Sequence, residues 1–144
     1  MRKKILTITF ILILTGCLKP HQIQIPQEDY KAIKVLFCPK DDCESQFNKF
    51  ILDTKQSLHC ALYDIDLEKI IKAFKAISKE KDVRLFIDEK NEKGLPDYNF
   101  IRFDNKASYS HNKFCVKDNN IIWTGSFNPT KRGAYYNNNN IVII

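Results

Sequence analysis

Apolar and polar positions alternate along this chain in two distinct rhythms. Residues 32–38, AIKVLFC, are apolar but for Lys34 and predict a strand. Asp41 or Asp42 then caps a helix over roughly 43–56, with Phe47, Phe50, Ile51 and Thr54 recurring on one face. Residues 57–65, SLHCALYDI, predict a second strand. Asp66 is placed to cap a helix running to about Lys79, whose apolar stripe is Leu67, Ile70, Ile71, Phe74 and Ile77 and whose other face is rich in lysine. Residues 82–88, DVRLFID, predict a third strand, 91–98 a loop with Gly94 and Pro96, and 99–103 a short strand. The residues before Asp118 alternate and carry Phe, Val and Cys, so they predict a strand; 118–120 are turn chemistry, and 121–124 form the returning strand of a hairpin. A β-α-β-α-β half followed by a β-rich half predicts an α/β domain, a central sheet with helices packed on it.

The first residues follow a different logic. Arg2, Lys3 and Lys4 precede an apolar run over 5–14, too short to span a bilayer but suited to the core of a signal peptide. The run ends in Leu14-Thr15-Gly16-Cys17, which resembles the lipobox of a bacterial lipoprotein. That resemblance implies removal of residues 1–16 and a diacylglyceryl group on the sulfur of Cys17. Each buried CH2 of a lipid chain adds roughly 0.8 kcal/mol of membrane affinity. Residues 17–30, with two prolines and little periodicity, predict a tether, leaving 31–144 as one domain. The expected location is outside the cytoplasm, lipid-anchored on the periplasmic or extracellular face of a bacterial membrane.

Charge and cysteine usage refine this picture only slightly. Net charge is +6; without the three basic residues of the leader it is +3, compatible with nucleic acid or anionic lipid and decisive for neither. With Cys17 lipidated, four cysteines remain in a compartment that permits disulfides. Cys38 and Cys43 flank a Pro-Lys-Asp-Asp turn at a spacing suited to a local bridge, whereas Cys60 and Cys115 lie in apolar strand patterns and read as small buried residues. The cysteine spacing matches no zinc pattern, and no metal or cofactor is expected.

The chemistry gathers in residues 109–128, YSHNKFCVKDNNIIWTGSFN, where His111, Lys113, Asp118, Gly125, Ser126 and Asn128 form the pattern H-x-K-x4-D-x6-G-S-x-N. Side chains two apart on a strand share a face, so His111 and Lys113 are expected side by side. The hairpin return brings Gly125, Ser126 and Asn128 back to the same end of the sheet. A histidine, a fixed cation and two small hydrogen-bonding side chains at one spot suit a phosphate. The pattern resembles the HKD motif of the phospholipase D superfamily, in the form found in its short, single-motif nucleases, and the likeness extends from about Val35 to the end.

The resemblance implies a mixed β-sheet flanked by helices, a single phospholipase D-like nuclease domain. It also implies a metal-independent endonuclease for DNA or RNA, with His111 as nucleophile and Lys113, Ser126 and Asn128 holding the phosphoryl oxygens. Asp118 falls in the catalytic motif, although its place at a strand end suits an orienting role. A second His111, from a two-fold-related subunit, would protonate the leaving group, so a single motif copy implies a homodimer. Trp123 and Phe127 flank the motif, where they either stack on a base or pack in the core. His59 reads as a structural residue with a backbone partner, and His21 lies in the tether. Two departures stand out. Asn139 takes the place of an acidic residue that, in the family's short nucleases, bonds the nucleophilic histidine, and the chain stops at Ile144, where members usually continue into a closing helix, as a truncated product or fragment would. The competing readings are a phospholipase D or phosphatidyl transferase acting on phospholipids, and a degenerate lipoprotein that binds polyanions.

Overall fold

The structure, a computed structural model, describes residues 33–104 and 108–144. The leader, Cys17, the tether and His21 lie outside the described residues. Seven strands form one mixed sheet: β1 (Lys34–Cys38), β2 (Ser57–Leu62), β3 (Asp82–Ile87), β4 (Ile101–Phe103), β5 (Lys113–Lys117), β6 (Ile121–Gly125) and β7 (Asn139–Ile143). Their spatial order is β1-β7-β6-β5-β2-β3-β4, with β2, β3 and β4 mutually parallel and every other neighbour antiparallel.

Two helices, α1 (Cys43–Leu52) and α2 (Glu68–Ile77), pack against each other over the core face of the sheet. Asp42 caps α1 by accepting from the Ser45 N–H, and Phe47, Phe50 and Ile51 are buried as the 3.6-residue rhythm requires. Phe47 is fully buried at the centre of the core, its ring centroid 4.7 Å from Trp123, 6.1 Å from Phe127 and 6.2 Å from Phe74. Strand alternation turns Leu58, Cys60 and Leu62 of β2, and Val83, Leu85 and Ile87 of β3, toward the helices. The opposite sheet face carries exposed Val35, Phe37, Phe86, Phe114 and Ile122.

Three expectations need correction. Asp66 does not cap α2, whose N-cap is Leu67 without a side-chain bond. Its Oδ1 instead accepts from the Lys131 N–H at 2.6 Å, tying the start of α2 to the short helix α3 (Lys131–Tyr135), which the sequence reading did not anticipate. Cys60 and Cys115 are not free thiols but a disulfide. They sit directly opposite each other on β2 and β5 with Cα atoms 4.0 Å apart, close enough for their sulfurs to bond. Cys38 and Cys43 form the other bridge. The partner of His59 is a side chain, Asp82 Oδ2 at 3.0 Å on the neighbouring strand, rather than backbone.

Candidate active site

Strand pairing fixes where the motif residues meet. Leu62 pairs with Lys113, Phe114 with Thr124 and Gly125 with Ile141, so the C-terminal ends of β2, β3 and β6 and the N-terminal ends of β5 and β7 share one rim. Chain segments leaving that rim carry Tyr63, Asp88, His111, Ser126 and Asn128.

His111 is exposed and lies two residues ahead of β5, not inside it as the alternation suggests. Its approach to the rim is set by Ser110, whose N–H donates to Asp88 Oδ2 at 2.8 Å. Asp88 is 2% exposed at the end of β3, and its other oxygen accepts from the Lys90 N–H at 3.0 Å. A carboxylate held by two amides makes a firm anchor. From there the imidazole packs edge-on against Tyr63, 4.6 Å between centroids, while Lys113 Nζ stands 5.1 Å from the centre of the same ring. Lys113 Nζ also donates to the His111 carbonyl at 3.1 Å. The two side chains therefore share one surface, as strand spacing suggested, but the ring of Tyr63 brings them together rather than the pleat. Burial lowers the Lys113 pKa against the pull of Asp64. Burial likewise raises that of Asp64, helped by the neighbouring charge of Asp66.

On the next strand, Gly125 has φ of +143°, and a Cβ there would sit 2.2 Å from the Asn140 carbonyl oxygen. Only glycine admits β7 this closely. The close approach lets the Ser126 N–H donate to that carbonyl and the Ser126 Oγ accept from the Asn140 N–H, both at 3.0 Å. The hydroxyl also lies 3.2 Å from Asn139 Oδ1 and 3.0 Å from Asn140 Oδ1; with one proton it donates to one of them at a time. Asn139 Nδ2 donates to the Gly133 carbonyl at 3.0 Å. Asn139 is thus engaged with Ser126 and α3. Asn128 is half-buried nearby, its Oδ1 buried without a hydrogen-bond partner and its carbonyl accepting from the Thr130 N–H.

Asp118 is not at this rim. It sits at the opposite end of β5, five residues and about 16 Å of strand from Lys113. Its carboxylate accepts from the N–H groups of Lys55, Gln56 and Ser57, at 2.7 Å in the closest case. Burial there pushes its pKa up, but the three amides outweigh this and hold it below the usual carboxylate range. Trp123 and Phe127, each 2% exposed, belong to the core and offer no stacking surface. The residues the sequence reading missed at this rim are Tyr63 and Asp88. One signal was available: DVRLFID ends in an acid at the strand terminus that a parallel neighbour would carry to the motif's end of the sheet.

Residues 48–144 match the family model described as the PLD-like domain of cardiolipin synthase. Among curated proteins, mitochondrial cardiolipin hydrolase from Xenopus laevis is 24% identical over 155 aligned residues, covering 99% of this chain and 70% of that protein. Among solved structures, the phospholipase D family member Nuc from Salmonella typhimurium superposes with a TM-score of 0.68 at 26% identity, covering 78% of this chain and 82% of that one. NucT from Helicobacter pylori shares the fold, with a TM-score of 0.66 at 15% identity over 78% of this chain and 84% of that one. The family match takes in most of the sheet and the whole H-x-K segment, and on that ground the chain belongs to the phospholipase D superfamily, in its PLD-like domain family.

Proposed function

We propose that this protein is a phosphodiesterase that cleaves DNA or RNA through a phosphohistidine on His111, working as a homodimer and held at a bacterial membrane by a lipid on Cys17. The observation that carries the reading is the meeting of the His111 imidazole and the Lys113 ammonium on the ring of Tyr63, at the end of the sheet from which Ser126 also leaves. An imidazole nitrogen of His111 attacks phosphorus, and the bond to the leaving oxygen breaks. The imidazolium of a second His111 gives that oxygen its proton, then as a neutral base takes one from water, which displaces the phosphoryl group from nitrogen. Lys113 balances charge on the non-bridging oxygens, so the scheme itself calls for no metal. Ser126 and Asn128 hold those oxygens by hydrogen bonds.

A second reading, a phospholipase-type hydrolase or phosphatidyl transferase, is favoured by the likeness to cardiolipin hydrolase and to the cardiolipin synthase domain. Plasmid DNA, an RNA oligonucleotide and cardiolipin vesicles, each incubated with the protein in EDTA, separate the two. Nicking or strand cleavage that falls at least about 10³-fold in His111→Ala supports the nuclease. Lipid turnover with intact nucleic acid transfers the same residues to phospholipid. A folded protein inert on every substrate overturns both.

A further inference from the structure

Next to His111 stands an aromatic side chain for which the scheme above has no task. Tyr109 is 63% exposed, two residues before the imidazole and on the other side of the Ser110–Asp88 anchor. Its ring centroid lies 6.3 Å from that of Tyr63 in a T-shaped arrangement, and the centroid of Tyr63 lies 4.6 Å from that of His111. The three rings thus form a continuous row ending at the nucleophile. Lys90 holds the outer ring, its Nζ 3.7 Å from the centroid of Tyr109. Residues on both sides of Lys90 are fastened: Asp88 takes two amide hydrogen bonds, and the Asn91 amide donates to the Tyr63 carbonyl at 2.7 Å. This is a built arrangement from three chain segments, and it presents a tyrosine ring to water.

We propose that Tyr109 is a stacking subsite for an unstacked nucleobase adjoining the scissile phosphate. Bases within a duplex already stack on each other, whereas those of a single strand have free faces that an aromatic ring can take. A phospholipid headgroup and its glycerol have no such face. The inference rests on the phosphodiesterase reading of His111 and Lys113, and adds to it the residue that receives the neighbouring base.

The test compares a labelled single-stranded oligodeoxynucleotide with a strand of equal length whose residues flanking one central phosphate are abasic. Cleavage at that phosphate is measured for the full chain, His111→Ala, Tyr109→Ala and Tyr109→Phe. In Tyr109→Ala, kcat/KM on the base-bearing strand is expected to fall roughly five- to a hundredfold, the weight of one stacked base. The abasic strand should be cut at an unchanged rate, and Tyr109→Phe should match the parent on both. Equal losses on the two strands, or no loss on either, overturn the subsite. If the abasic strand is cut by the parent and not by His111→Ala, the phosphodiesterase reading survives that failure. Hydrolysis of cardiolipin vesicles with both strands left intact overturns the subsite while keeping the phosphodiesterase. No His111-dependent cleavage of any of these substrates removes the reading and the subsite together.

Discussion

Asp118 shows how one residue can belong to a sequence motif and serve the fold. Its φ of +53°, followed by +60° at Asn119, is a conformation that Asp and Asn tolerate better than most residues, so the hairpin turns here. The turn aims the carboxylate at three amides of the segment entering β2. Each hydrogen bond to a charged acceptor contributes on the order of 1 kcal/mol, reduced where water can replace it. Asp118→Ala should therefore lower stability by roughly 1–3 kcal/mol while leaving kcat per folded molecule near that of the parent. The sign with pH follows from the depressed pKa. The stabilisation is fully present above the unfolded-state value of about 4 and is lost as pH falls through the lower folded-state value. Urea titrations of parent and variant at neutral pH and in acid check this, since the gap between them should close as the solution is acidified. A gap that widened in acid, or a variant with full stability and no activity, would return Asp118 to the catalytic centre.

Among the elements, β6 depends closely on a single position. At Gly125 any side chain would run into the backbone of β7, and backbone cannot swing aside as a side-chain tip does. Gly125→Ala should destabilise the protein by about 2–4 kcal/mol, the range for a strained φ combined with overpacking. It should also cut activity in the molecules that remain folded, because Ser126 is bonded to β7 through this contact. Thermal unfolding together with kcat/KM on the folded fraction distinguishes this from a purely structural loss. The same element explains what was legible beforehand. Helices α1 and α2, β1 to β3 and the motif hairpin came from periodicities of two and 3.6, each a property of a dozen residues or fewer. The shared location of His111, Lys113 and Ser126 came from the turn chemistry of 118–120. What stayed hidden depends on pairings between distant segments. Cys60 meets Cys115 only because β2 lies beside β5, Asp66 reaches Lys131 only because α3 returns to the head of α2, and Tyr63 joins the site only because β2 ends where β5 begins. Local patterning contains none of these neighbours.

At the scale of the whole molecule, one chain supplies one H-x-K segment, yet the proposed reaction needs two imidazoles in opposite protonation states at the same moment. His111 must be neutral to attack, and the donor to the leaving oxygen must be charged. One imidazole cannot be both, and His59, the other described histidine, is held by Asp82 at a strand pairing away from the motif rim. A second subunit resolves the conflict if two-fold symmetry brings the rims together. The consequence is quantitative. Mixed with His111→Ala chains and allowed to exchange fully, parent chains work only when paired with each other, so activity follows the square of the parent fraction. An equal mixture should retain about a quarter of the activity of the same total amount of parent, where independent subunits would retain about half. The mixture is best made by co-expressing differently tagged chains, with the mixed dimer purified through both tags and assayed alone. A mixed dimer as active as half a parent dimer would show that each subunit finishes the reaction unaided, and the donor would then have to be sought within one chain, with Asp64, half-buried and close enough to feel the charge of Lys113, as the first group to replace.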